Sequence, residues 1–151
     1  SKVKRIYNNH QIESFIESFF DDIFEKFKKA HLIISRSGGS SVAEILTSRR
    51  PVIFIPLPNS FDNHQLENTK LITQIGGGWV LDQNNEIIKT LKKLLENLIK
   101  NPKKLIIASN QMKKLSEDLE VRRKNKPATE FFSDVLIDLI KTNHKKISKP
   151  C

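Results

Sequence analysis

The run Leu32-Ile33-Ile34-Ser35-Arg36-Ser37-Gly38-Gly39-Ser40-Ser41-Val42-Ala43-Glu44 decides the fold. It opens with a short apolar stretch, passes through a serine- and glycine-bearing loop, and enters a segment with helical spacing. Such a stretch is a buried strand, a tight turn and a helix start in sequence order. Val42 to Ser48 is the expected helix, with Ser40 or Ser41 as its cap. The pattern repeats downstream. Pro51 precedes a second buried strand, Val52-Ile53-Phe54-Ile55, which Pro56 and Pro58 stop. A loop from Asn59 to Asn63 leads into a helix from His64 to Ile75. Gly76-Gly77-Gly78 breaks that helix before a third strand, Trp79-Val80-Leu81. Strand–helix alternation of this kind builds an α/β layer on a parallel sheet.

Beyond Asn84 the spacing is all helical. Ile87, Ile88, Leu91, Leu94, Leu95 and Leu98 form one apolar face. Pro102 opens the next helix, with Leu105, Ile106, Met112 and Leu115 directed inward. Arg122-Arg123-Lys124-Asn125-Lys126 is the expected connector. Pro127 then opens a last helix carrying Phe131, Phe132, Val135, Leu136, Leu139 and Ile140. The domain is expected to run over residues 1–141, with a polar tail at 142–151. Upstream, Ile12, Phe15, Ile16, Phe19, Phe20, Ile23, Phe24 and Phe27 recur at spacings of three and four. On periodicity alone they form one amphipathic helix from Gln11 to Ala30.

Composition bounds the function. The chain has 151 residues and a formal charge of +9, from 26 Lys and Arg against 17 Asp and Glu. Such an excess suits an anionic partner, whether nucleic acid, phosphorylated ligand or lipid surface, and equally suits a solvated lysine-rich exterior. Much of it follows Lys89, away from the loops described above. A single cysteine, Cys151, excludes a disulfide framework and fits a reducing cytosol. No apolar run approaches the roughly 20 residues that span a bilayer. His10, His31 and His144 are scattered without metal-ligand spacing, and no metal or cofactor is expected. Trp79 and the phenylalanines fit a core better than a base-stacking platform.

Two segments carry the chemistry. In Gly38-Gly39-Ser40-Ser41 the glycines let backbone amides approach a ligand. The helix start behind them offers unpaired N–H groups and a partial positive charge suited to a diphosphate. Ser40 and Ser41 either donate hydroxyls to those phosphates or cap the helix. Glu44, one turn in, either accepts both hydroxyls of a ribose or serves the helix start. The second segment, Asp62-Asn63-His64-Gln65-Leu66-Glu67-Asn68, follows the next strand of the same sheet. Both loops therefore meet at one carboxyl edge, where α/β proteins bind ligands. His64 and Gln65 supply neutral hydrogen bonds suited to sugar hydroxyls. The plainer alternative is a polar helix start capped by Asp62.

Taken together these residues resemble the C-terminal half of the MurG family of N-acetylglucosaminyltransferases. The resemblance rests on Ser35-Arg36-Ser37-Gly38, Glu44, Pro51, Pro56-Leu57-Pro58, Asp62, His64, Gln65 and Asn68. It covers Ser18 to Leu81 closely and extends loosely to Lys141. It implies a partial Rossmann-like C-terminal domain of a GT-B glycosyltransferase, followed by a helical C-terminal region. Gly38, Gly39, Ser40, Ser41, Val42, Ala43 and Glu44 would wrap the diphosphate and ribose, and His64 and Gln65 would contact the N-acetylglucosamine. Phe19-Phe20-Asp21-Asp22 looks like the family's Phe-Ile-Asp-Asp segment, with backbone near Phe20 holding the uracil. An Asp pair favours a helix start over a helix middle. The resemblance therefore predicts, against periodicity, that the helix breaks between Ser18 and Asp22. Gly39-Ser40-Ser41 departs mildly from the family's usual Ala-Ser-Thr type of run.

What the resemblance further implies is an enzyme of peptidoglycan synthesis. It would move N-acetylglucosamine from UDP-N-acetylglucosamine to a lipid-linked muramyl-peptide acceptor, in peripheral contact with the cytoplasmic face of a bacterial inner membrane. The acceptor-binding N-terminal domain, which would also supply the general base, has no counterpart in this sequence. The chain by itself is expected to bind donor without turnover. The alternatives are another GT-B enzyme of UDP-sugars, such as an epimerase or an N-acetylglucosamine transferase subunit, and a basic nucleic-acid-binding module. The last would lose affinity steeply as salt rises; the two loops favour a sugar nucleotide over nucleic acid.

Overall fold

A computed structural model describes residues 2–58, 64–123, 127 and 134. Its elements run α1 (Lys2–Asn9), α2 (Ile23–Lys29), β1 (Ile33–Ser35), α3 (Gly39–Ser48), β2 (Val52–Phe54), α4 (His64–Thr73), β3 (Gly78–Val80), α5 (Ile87–Lys100) and α6 (Lys103–Arg122). The three strands form a parallel sheet in the order β1-β2-β3. Ile33 pairs with Val52 and Ser35 with Phe54, and Val52 pairs with Gly78 and Phe54 with Val80. The expected α/β layer on a parallel sheet is therefore present. The reading of a last helix from Pro127, and of a tail at 142–151, lies outside the described residues, Pro127 and Asp134 apart.

β2 is the central strand, and Val52, Ile53 and Phe54 have no solvent exposure. Around it pack Ile33, Val42, Ala43, Ile45, Leu46, Ile72, Met112 and Leu119. α3 contributes Val42, Ala43, Ile45 and Leu46 because these positions recur on one helical face, leaving Glu44 in solvent. Its C-cap Arg49 is left-handed, with φ of 60°. The carbonyl of Arg49 accepts from Ser109 Oγ at 3.0 Å, and its guanidinium reaches Glu117 and Glu120 at 3.4 Å. These contacts fasten α6 across the end of α3.

The glycine run before β3 does more than end a helix. Gly76 has φ of 74°. A Cβ on Gly77 would stand 2.6 Å from Met112 Sδ, and one on Gly78 only 2.4 Å from the Val52 carbonyl oxygen. The chain thus enters β3 pressed against α6 at Gly77, where the neighbour is the Met112 side chain, and against the backbone of β2 at Gly78, where no side chain fits.

Several expectations change. The amphipathic helix from Gln11 to Ala30 does not form. α1 ends at Asn9, Gln11 takes φ of 54°, and helix resumes only at Ile23, with Asp22 at the N-cap and Ala30 at the C-cap. The break lies where the Asp pair placed it, though it spans more residues. Periodicity misleads because helical stability comes from burying the apolar stripe, and Phe15 and Phe19 stay 79% and 77% exposed. Asp22 makes no cap bond; its carboxylate takes Lys26 Nζ at 3.3 Å instead.

Neither Ser40 nor Ser41 caps α3. Gly38 holds the cap position, Val42 N–H donates to its carbonyl at 2.9 Å, and both serines lie inside the first turn. Ile34 is not buried: it alternates to the face opposite Ile33 on an edge strand. Ile88 and Ile106 face solvent, because the inward stripe of α6 is Ala108, Met112, Ser116 and Leu119, and Leu98 is the buried residue of α5.

Candidate functional site

A parallel sheet places every strand's carboxyl end on one side. Here the loops after Ser35, Phe54 and Val80 leave from one edge, because those three residues are in register across the sheet. The chain turns from β1 into α3 within Arg36, Ser37 and Gly38. α3 therefore starts at that edge, and Gly39, Ser40 and Ser41 form its first turn. The amides of a first turn have no partner within the helix, and they point out of the sheet edge. Gly39 and Ser40 are exposed and Ser41 half-buried, whereas Val42 and Ala43 turn their side chains into the core. The Val42 amide donates to the Gly38 carbonyl, the first bond of the helix.

α4 begins beside this turn. Asn68 Nδ2 donates to the Ser37 carbonyl at 3.0 Å, so the second motif is bolted onto the first. Gln65 accepts from the Leu57 N–H through Oε1 at 3.0 Å, which leaves its NH₂ group to donate elsewhere. His64 opens α4 at the same edge. Asp62 lies outside the described residues, and with it the reading of Asp62 as a cap. Ser37, within the turn itself, is fully buried and its Oγ has no hydrogen-bond partner.

Phe20 belongs to this edge through topology. A helix joined to a strand by a short connection runs antiparallel to it, so α2 starts on the carboxyl side of β1. α2 packs against α3, which starts there too. Phe20 stands just before α2, half-buried, with Lys26 Nζ 5.2 Å from its ring centroid.

Sequence reasoning missed two contributors. Arg36 was part of the motif without a role, and Gln83 was not singled out. The guanidinium Nη1 of Arg36 donates to the Ile55 carbonyl at 2.9 Å, the Pro56 carbonyl at 3.2 Å and Gln83 Oε1 at 2.5 Å. No periodic signal marks such a residue, since its partners lie 19 to 47 positions away. Among the described residues no three His, Cys, Asp or Glu side chains are grouped as a metal site, and no helix is long and apolar enough to cross a membrane.

Residues 1–125 match the family model described as the glycosyltransferase family 28 C-terminal domain. The chain is 43% identical over 115 residues to the UDP-N-acetylglucosamine–N-acetylmuramyl-(pentapeptide) pyrophosphoryl-undecaprenol N-acetylglucosamine transferase of Wolbachia sp. subsp. Brugia malayi (strain TRS), covering 76% of this chain and 34% of that one. The transferase of the same name from Rickettsia massiliae (strain Mtu5) is 42% identical over 113 residues, or 75% of this chain and 30% of the relative. A crystal structure of Acinetobacter baumannii MurG is similar with a TM-score of 0.61 and 25% sequence identity, over 82% of this chain and 33% of that one. The chain thus spans about a third of the length of the relatives it matches.

Proposed function

This chain belongs to the glycosyltransferase family 28 C-terminal domains, and from that premise we propose that it is the donor-binding part of an inverting N-acetylglucosaminyltransferase of peptidoglycan synthesis. The donor is UDP-N-acetylglucosamine. The acceptor is a lipid-linked muramyl peptide, lipid I, which the transfer converts to lipid II. The observation that carries this reading is the open first turn of α3 at the carboxyl edge, locked to the start of α4 by Asn68 and Ser37.

The roles follow from that arrangement. The amides of Gly39, Ser40 and Ser41, with the two serine hydroxyls, receive the diphosphate at the positive end of α3. Gly38, Val42 and Ala43 hold that turn in place. Glu44, exposed one turn further, accepts the ribose hydroxyls. The backbone beside Phe20 takes the uracil, and His64 and Gln65 take the sugar. When an acceptor hydroxyl attacks the anomeric carbon, negative charge collects on the departing UDP. Donors fixed before the reaction stabilise that charge without reorganising. Turnover also requires the acceptor held in near-attack geometry, and the acceptor-binding part of the longer relatives, with its general base, is the partner this domain works with. The whole enzyme would act peripherally at the cytoplasmic membrane face, where its lipid-linked acceptor resides.

Calorimetric titration of the chain with UDP and with UDP-N-acetylglucosamine tests the reading. Saturable binding that discriminates uracil from other bases supports it. Binding of DNA or RNA that collapses with salt, without nucleotide binding, would replace it with the nucleic-acid reading.

A further inference from the structure

Three loops leave the carboxyl edge of the sheet, and one guanidinium touches all three. Arg36 sits in the loop after β1. Its Nη1 donates to the carbonyls of Ile55 and Pro56 in the loop after β2, and to the Gln83 side chain in the loop after β3. Among its described residues, the loop after β2 has few bonds of its own. Ile55 N–H is the last to join the sheet, donating to Ser35 O at 2.9 Å. Pro56 and Pro58 have no N–H to donate. Leu57 N–H donates to Gln65 at 3.0 Å. The carbonyls of Ile55 and Pro56 are therefore held by Arg36, and the Leu57 amide by the residue assigned to the sugar.

We propose that Arg36 is a positioning residue, with Gln83 as its support: it sets where Ile55, Pro56 and Leu57, whose amide Gln65 holds, stand relative to the diphosphate turn of α3. This rests on the donor-binding reading above. All three bonds leave one nitrogen, Nη1, so its two hydrogens serve three acceptors and one hydrogen is shared. The acceptors of Arg36 are neutral, two carbonyls and an amide oxygen, so the interaction is directional fastening rather than charge pairing. The carbonyls that Arg36 holds belong to the loop after β2, whereas the turn into Gly39 keeps its own tie from Asn68 to the Ser37 carbonyl, so loosening Arg36 moves the sugar contacts more than the nucleotide contacts.

The test uses the 151-residue chain and the variants Arg36→Met, Arg36→Lys and Gln83→Ala. Calorimetry reads affinity for UDP and for UDP-N-acetylglucosamine separately. Arg36→Met is expected to weaken UDP-N-acetylglucosamine about tenfold or more and UDP by less than about threefold. Arg36→Lys, which keeps several donors on one nitrogen, should lose less than Arg36→Met, and Gln83→Ala should shift the same ratio by a smaller factor. Amide exchange gives a readout free of ligand: Leu57 should exchange faster in Arg36→Met while Ile53, in the central strand, keeps its protection. Equal losses for both ligands would show general destabilisation and overturn the proposal. If the unmodified chain binds neither ligand, the donor-site reading fails, and the Leu57 exchange rate decides the fastening by itself; an unchanged rate rejects it.

Discussion

The side-chain amide of Asn68 donates to the backbone carbonyl of Ser37 at 3.0 Å, joining the second turn of α4 to the loop that opens α3. One bond thereby couples the two motifs, 31 positions apart in sequence. The acceptor carbonyl belongs to a buried residue, so losing the donor leaves it unsatisfied. Asn68→Ala is expected to lower unfolding free energy by about 1–3 kcal/mol, the penalty for an orphaned buried polar group. Asn68→Asp should be at least as harmful, since a carboxylate presents oxygen to oxygen. Urea denaturation checks both, and an Asp variant as stable as the parent would contradict the coupling.

Glu44 lies in solvent on the outer face of α3, away from the core residues that share its helix. Replacing it by alanine should leave stability within about 0.5 kcal/mol, as for most surface positions. UDP affinity should fall by about 1.5–3 kcal/mol, the range for a hydrogen bond to a charged group. Paired denaturation and calorimetry separate the two effects. Unchanged UDP affinity would remove Glu44 from the ribose site.

Gln65 has two functional ends. Its Oε1 holds the Leu57 amide, and its NH₂ group is the end assigned to sugar hydroxyls. Gln65→Ala should weaken UDP-N-acetylglucosamine while leaving UDP nearly unchanged. Gln65→Glu keeps an acceptor for Leu57 but cannot donate to the sugar, so it should lose sugar affinity with Leu57 still protected from exchange. Equal losses of both ligands in either variant would reject the assignment to the sugar.

Gly78 is a steric requirement of the sheet. Its missing Cβ would lie 2.4 Å from the Val52 carbonyl oxygen, a backbone atom that cannot move aside without disturbing the central strand. Gly78→Ala is expected to destabilise the chain by about 1–3 kcal/mol or more, as overpacking does. A control at Gly38, where an added Cβ meets nothing within 4 Å, should be milder in stability. The midpoints of urea denaturation compare the two; equal midpoints would contradict the steric account.

The sequence by itself determined the order of elements from Leu32 to Leu81, the parallel sheet they make, and the two motif loops at its carboxyl edge. Those features are read locally: a short apolar run bounded by glycine or proline, set between helical repeats, reads as a buried strand, and a helix start leaves its first amides without partners inside the helix. The Asp21-Asp22 pair likewise outweighed the phenylalanine periodicity around it. Only the tertiary structure decided how the loops are joined. That Arg36 spans three loops, that Asn68 and Gln65 fasten backbone, and that Gly78 is demanded by the Val52 carbonyl are facts of distance between residues far apart in the chain. It likewise decided that Phe15, Phe19, Ile88 and Ile106 face solvent. Periodicity records which residues share a face, but burial depends on whether another element arrives to cover it.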